Sequence, residues 1–181
     1  GNTLCKECAP KWLCGNSVNI TAIAPGEYDL IFSCPPYADL EIYSDNPLDI
    51  STMSYPEFSS TLSKIIKESV SLLKDNRFAV FVIGEVRGKD GNYYGFVPDV
   101  IRHFEDAGMK YYNEAILITQ VGSLPIRAGK AFTATRKLWK THQNVLVFIK
   151  GDPKIAVRDI GEVQFGDIED TTSKEPVRIN G

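Results

Sequence analysis

The sequence predicts an α/β protein built on a doubly wound, mostly parallel sheet. Strand-like apolar segments alternate with amphipathic helical segments along most of the chain. Residues 78–83 form a continuous apolar run, which is typical of a strand buried on both faces in a parallel sheet. The length of 181 residues, with 43% hydrophobic and 24% charged side chains, fits one globular domain with a sizeable core.

The elements follow in the order strand, helix, strand, helix, strand, long connection, strand. The first helix begins at Pro56, because proline is favoured in a first helical turn, and apolar residues then recur at helical spacing. The second helix begins at Pro98 and ends at Gly108, a residue type common just after a helix end. The predicted strands are residues 29–34, 78–83, 111–119 and 144–149, and the long connection is residues 120–143.

The first strand stops at two prolines and a tyrosine, Pro35, Pro36 and Tyr37. Proline lacks an N–H and fixes φ, so the pair cannot continue a sheet ladder and leaves the preceding carbonyls free to accept hydrogen bonds. The tyrosine offers a flat ring on which a base can stack. Since ligands of open α/β sheets bind at strand carboxyl ends, we expect residues 34–37 and 84–87 to form one concave site.

Residues 34–37 resemble motif IV of the S-adenosylmethionine-dependent amino methyltransferases, which reads Asp, Asn or Ser, then Pro-Pro, then Tyr, Phe or Trp. The resemblance implies the second half of a Rossmann-like methyltransferase sheet, closed by an antiparallel pair formed by the last two strands. It implies transfer of a methyl group from S-adenosylmethionine to N6 of adenine or N4 of cytosine in DNA, with the target base flipped out of the duplex. The order of segments most resembles phage and bacterial DNA modification methylases.

The resemblance places the catalytic positions at Cys34, Pro35, Pro36 and Tyr37. Cys34 stands where the family has Asp, Asn or Ser, and a thiol is a weaker hydrogen-bond acceptor than a carboxylate or an amide. The resemblance then implies that the Pro35 carbonyl holds the target amino group. This backbone group is present whatever side chain occupies position 34. Ser33 could take the side-chain role, although strand alternation points it to the other face.

The cofactor half of the family pattern is missing, because the sequence contains no Gly-rich turn of the expected type. Residues 11–17 resemble the third cofactor strand and its Gly-Asp turn, with Asn16 in the position of Asp. The expected S-adenosylmethionine contacts are therefore Asn16, Ser33, Cys34 and Pro35. We expect residues 1–151 to form a partial methyltransferase domain, with a third-strand remnant at 11–17, a catalytic half at 28–151 and a polar tail at 152–181.

Charge is distributed unevenly along the chain, although the net charge is only −3. Residues 24–63 contain no Lys or Arg, and residues 120–150 contain no Asp or Glu. The basic stretch is expected to meet DNA phosphates, with ordinary scatter of charge on a solvated loop as the alternative. The expected nucleic-acid contacts are Tyr37, Arg127, Lys130, Arg136, Lys137 and Lys140.

Other functions and partners remain open at this point. The alternatives to a DNA methyltransferase are an RNA amino methyltransferase and an inactive remnant that binds nucleic acid. The strand edge at residues 29–34 is expected to be open and to pair with residues 11–14 or a second copy of the chain. No metal site is predicted, because the spacing of Cys5 and Cys8 gives only half a zinc site. The sequence lacks a membrane span or signal peptide, which predicts a cytoplasmic protein.

Overall fold

The computed structural model describes residues 10–37, 42–119 and 124–163, with the backbone alone at 124–127. No helix in these ranges is both long and apolar enough to cross a membrane. Short 3₁₀ turns lie at Ser17–Asn19 and Ile50–Thr52. The helices and strands, in chain order, are α1 (Ile20–Ile23), β1 (Tyr28–Ser33), α2 (Tyr55–Leu72), β2 (Leu73–Ile83), α3 (Phe96–Asp106), β3 (Lys110–Ile118), α4 (Leu124–Thr135), β4 (His142–Lys150) and α5 (Pro153–Ile160).

The four described strands form one sheet in the order β1-β2-β4-β3. β1 pairs with β2 in parallel, with Ser33 opposite Phe81. β4 is antiparallel to both of its neighbours, β2 and β3, so β3 runs in the same direction as β1 and β2. The mostly parallel α/β sheet and its antiparallel closing pair are therefore confirmed.

Helix α2 begins where the sequence predicts. The Glu57 carboxylate accepts hydrogen bonds from the backbone N and the Oγ of Ser54, at 3.1 and 2.6 Å, and these bonds lower the pKa of that carboxyl. The first of these bonds satisfies a backbone N–H that a helix start would otherwise leave without a partner. The apolar face of the helix, spaced at three and four residues, is buried and consists of Phe58, Leu62, Ile66 and Val70.

The core lies on one face of the sheet, beneath α2 and α3. It includes Ala79, Phe81 and Ile83 from β2, which alternate along the strand and meet the buried residues of the two helices. On the other face, Leu30 and Phe32 of β1 remain 56% and 63% exposed. Helices α2 and α3 thus cover one face of the sheet, whereas the opposite face is uncovered near β1.

The structure corrects three expectations. Residues 124–135 are helical within the predicted connection, because the segment has a proline near its start and three alanines, and these residue types favour a helix at those positions. Helix α5 lies in the predicted polar tail and is capped by Asp152, whose side chain accepts from the Lys154 N–H at 2.7 Å. Residues 11–16 form no strand. The pairing expected between residues 11–14 and the edge of β1 is likewise not formed, and in the described part of the chain β1 pairs with β2 alone.

Candidate functional site

The end of β1 and the end of β2 lie side by side. Because the two strands are parallel neighbours, residues 34–37 and 84–87 leave the sheet at the same edge. The Tyr37 ring lies 3.9 Å from where a Cβ on Gly84 would be. The predicted proximity of these two segments is confirmed. They line two different cavities, however, rather than one.

Tyr37 is held by two elements that follow it in the chain. Its half-buried ring packs edge-to-face on Phe96, at the start of α3, with the ring centroids 6.1 Å apart. Its Oη accepts a hydrogen bond from Nε2 of Gln143 in β4. A ring fixed by a packing contact and a hydrogen bond keeps one orientation. Gln143 carries no motif and is distant in sequence, so sequence reasoning missed it.

The positions before Tyr37 alternate in burial. Cys34 is exposed, whereas Pro35 is buried. Ser33 is partly buried and lies opposite Phe81, which belongs to the core on the helical face. Side chains one position apart on a strand point to opposite faces, so Ser33 faces away from the side of Cys34. Ser33 and Cys34 therefore do not present their side chains to the same side of the sheet.

The first cavity, with a volume of about 610 Å³, brings Asn16 and Pro36 together. The Asn16 Oδ1 accepts a hydrogen bond from the Val18 N–H at 3.0 Å, which caps the 3₁₀ turn at Ser17–Asn19. The acid in the lining, Asp49, is already engaged, because its carboxylate accepts from the Ser51 N–H and the Ser44 hydroxyl. These bonds lower its pKa.

The second cavity is a cleft of about 410 Å³ on the Gly84 side of Tyr37, which we call the basic cleft. One wall is the segment after β2, and the other is the segment before β4. Lys137 and Lys140, both predicted nucleic-acid contacts, lie in it. The basic cleft is lined by Gly84, Glu85, Val86, Arg87, Tyr93, Lys137, Leu138, Trp139, Lys140 and His142.

The remaining predicted contacts are dispersed. Arg136 lies in a groove that adjoins the basic cleft, together with Lys137. Lys130 is exposed on α4, and the side chain of Arg127 lies outside the described residues. The described ranges hold no cluster of three or more His, Cys, Asp or Glu placed to bind a metal, and Cys5 and Cys8 fall outside those ranges.

No family model matches the sequence, and no curated protein matches it. Several solved structures do match. A crystal structure of a putative DNA modification methylase from Thermus thermophilus aligns with a TM-score of 0.54 and 17% identity, covering 90% of this chain and 59% of that protein. Its selenomethionine derivative aligns with a TM-score of 0.54 and 18% identity, over 76% and 51% of the two chains.

The same Thermus protein in complex with S-adenosyl-L-methionine aligns with a TM-score of 0.52 and 17% identity, over 76% of this chain and 52% of that one. At these identities the likeness concerns the fold. The chain spans between 51% and 59% of the length of that protein. The chain therefore shares the fold of about half of that Thermus protein.

Proposed function

We propose that this chain is the target-binding half of an S-adenosylmethionine-dependent DNA methyltransferase that acts on an exocyclic amino group, N6 of adenine or N4 of cytosine. The observation that carries this proposal is the position of Pro35, Pro36 and Tyr37. They follow β1 at the carboxyl edge of the sheet, with the Asn16 cavity on one side and the basic cleft on the other. The likeness in fold to the Thermus methylase supports it.

Each residue of the motif has a role in this proposal. The cofactor supplies an electrophilic methyl group. The Pro35 carbonyl accepts a hydrogen bond from the target amino group and so aims the nitrogen lone pair, which makes orientation the main contribution of the protein. The Tyr37 ring stacks on the flipped base. Cys34 lies beside the amino group, where a thiol is a weak acceptor.

The Asn16 cavity fits only part of the cofactor. We infer contacts from Asn16 and from the backbone at residues 34 and 35. The carboxylate in the lining, Asp49, accepts hydrogen bonds from the Ser51 N–H and the Ser44 hydroxyl, so it offers a ribose only the acceptor positions that these bonds leave. In this proposal, a Gly-rich turn and an acidic residue that the lining of this cavity does not supply hold the ribose and the methionine end.

The test is methyl transfer by this chain joined to the polypeptide encoded directly upstream in its genome. Radiolabel from S-adenosylmethionine should enter DNA, and nucleoside analysis should show N6-methyladenine or N4-methylcytosine. Tyr37→Ala should reduce the rate in the joined protein. Label in RNA but not in DNA would favour the RNA methyltransferase. Absence of label in both would favour the nucleic-acid-binding remnant.

DNA binding by the basic stretch should be weak and strongly dependent on salt. Changing Arg127, Lys130, Arg136 and Lys137 together to Ala should weaken binding to all sequences alike, because phosphate contacts carry no sequence information. The slope of log K against log salt should become shallower by about 0.9 for each phosphate that the variant no longer neutralises. Fluorescence anisotropy with duplexes of several sequences measures both quantities.

A matched control removes the same charge elsewhere. Lys64, Lys67, Lys154 and Arg158 are exposed on α2 and α5, and their fourfold change to Ala alters the net charge by the same amount. The control variant should keep most of the affinity for DNA. Equal losses in the two variants would show that net charge, rather than the basic stretch, governs binding.

The open edge of β1 should make the chain self-associate. Trp12 is 90% exposed, and residues 11–13 line an apolar cavity beside Leu30 and Phe32 without pairing with the strand. Exposed edge strands with large apolar side chains recruit other strands. We propose a second copy as the partner in solution. Sedimentation should show a dimer for the wild-type chain and a monomer for Phe32→Lys, and a monodisperse wild-type monomer would contradict this.

A further inference from the structure

The basic cleft combines positive charge with aromatic rings in a small, partly open volume. Its volume of about 410 Å³ lies within the usual range for small-ligand sites, about 300–1,000 Å³. The Arg87 guanidinium lies 3.8 Å above the centroid of the Tyr93 ring, and the Lys140 ammonium lies 5.1 Å from the same centroid. Arg87 and Lys140 therefore both make cation–π contacts with Tyr93 at the wall of the cleft.

The acid that lines the cleft does not neutralise it. The two carboxylate oxygens of Glu85 accept hydrogen bonds from the N–H groups of Phe96 and Val97, each at 3.1 Å. These are the first residues of α3, where a helix start favours negative charge. Because Glu85 is compensated by α3, Arg87, Lys137 and Lys140 leave the cleft with a surplus of positive charge.

A second acid lies close to Lys137 without lining the cleft. Asp90 accepts hydrogen bonds from the backbone N and the Nδ2 of Asn92, at 3.0 and 2.9 Å. These bonds lower the pKa of its carboxyl, and the charge of Lys137 lowers it further. Asp90 thus offsets part of one ammonium charge, and the surplus remains with Arg87 and Lys140.

Trp139 supplies a second kind of contact. It lines the cleft between Lys137 and Lys140 and is 47% exposed. Duplex phosphates need cations alone, whereas an unstacked base gains from an aromatic surface. A groove that alternates cations with exposed aromatic rings is typical of sites for single-stranded nucleic acid.

The cleft is continuous with the proposed position of the target base. Gly84 lines the cleft and also lies against Tyr37. On the other wall, His142 lines the cleft, and the next residue, Gln143, donates its hydrogen bond to Tyr37. A nucleotide joined directly to one that stacks on Tyr37 would enter this cleft.

We propose that the basic cleft binds the nucleotide adjacent to the flipped target, as single-stranded DNA, with its base against Trp139 and its phosphate between Lys137, Lys140 and Arg87. This inference rests on the proposed function for the identity of its neighbour. It assigns to the cleft a site for an unpaired base. Binding of phosphates alone would need no such site.

The test compares a labelled single-stranded thymidine oligonucleotide with a duplex of equal length by fluorescence anisotropy, without cofactor. Trp139→Ala should weaken single-strand binding by about 5- to 150-fold, the equivalent of losing one stacked base, and should change duplex binding little. Trp139→Phe should restore most of the affinity. Tyr112→Ala, at a 51% exposed aromatic ring on β3 outside the cleft, should have no effect.

Trp139 can also report directly, because the chain has two tryptophans. In a Trp12→Phe background, the oligonucleotide should quench the fluorescence of Trp139, and inorganic phosphate should not. Quenching by phosphate to the same extent, or equal losses of single-strand and duplex binding in Trp139→Ala, would overturn the proposal. These readouts need no methyl transfer, so failure of methylation in the joined protein would refute the proposed function and leave the cleft assignment standing.

Discussion

The isolated chain is expected to transfer no methyl groups to DNA and to show no measurable heat when titrated with S-adenosylmethionine. The contacts that we propose for the cofactor are Asn16 and the backbone at residues 34 and 35. These amount to a few hydrogen bonds worth about 1 kcal/mol each. Association costs at least about 4 kcal/mol in lost translational and rotational freedom, so no useful affinity remains.

Calorimetry with the Thermus protein, which has been crystallised with S-adenosyl-L-methionine, provides the positive control. The titration should be run above and below the concentration at which the chain self-associates. Micromolar binding at high concentration alone would mean that a second copy completes the cofactor site. Micromolar binding by the monomer would contradict the prediction and would place the cofactor on residues other than those named here.

The parts of the fold that sequence predicted well are those that local chemistry determines. The apolar run at residues 78–83 is typical of a buried strand, and it forms the carboxyl half of β2. The start of α2 was predicted from Pro56, and the structure shows that Ser54 and Glu57 complete it with hydrogen bonds inside the same short segment. The two prolines end β1 because they cannot donate to a ladder.

Other parts depend on contacts that no local pattern encodes. A strand was expected at residues 11–14, but a strand forms only by pairing with a neighbour, and residues 11–14 do not pair with the edge of β1 that lies beside them. The orientation of Tyr37 depends on Gln143, which is 106 residues away. Only part of the basic cleft could be predicted from the sequence. Its two lysines lie in the basic stretch, whereas Arg87 and Tyr93 come from the segment that follows β2.

Replacing Phe104 with Ala is expected to cost about 3–5 kcal/mol of folding free energy, against a total stability of about 5–15 kcal/mol for a domain of this kind. Phe104 of α3 is fully buried. Its ring stacks on Phe148 with the centroids 4.0 Å apart, and it meets Phe81 edge-to-face at 4.9 Å. Truncation therefore removes the packing that joins α3 to β2 and β4.

Urea unfolding followed by circular dichroism measures this loss, and the midpoint should fall with little change in slope. Phe132→Ala provides the control, because this phenylalanine is 47% exposed on α4 and its loss should change stability by no more than about 0.5 kcal/mol. Equal effects of the two substitutions would show that α3 is not anchored by this aromatic cluster. Since α3 also begins with Phe96, which supports Tyr37, a loosened α3 in Phe104→Ala should weaken binding of single-stranded DNA even where the protein remains folded.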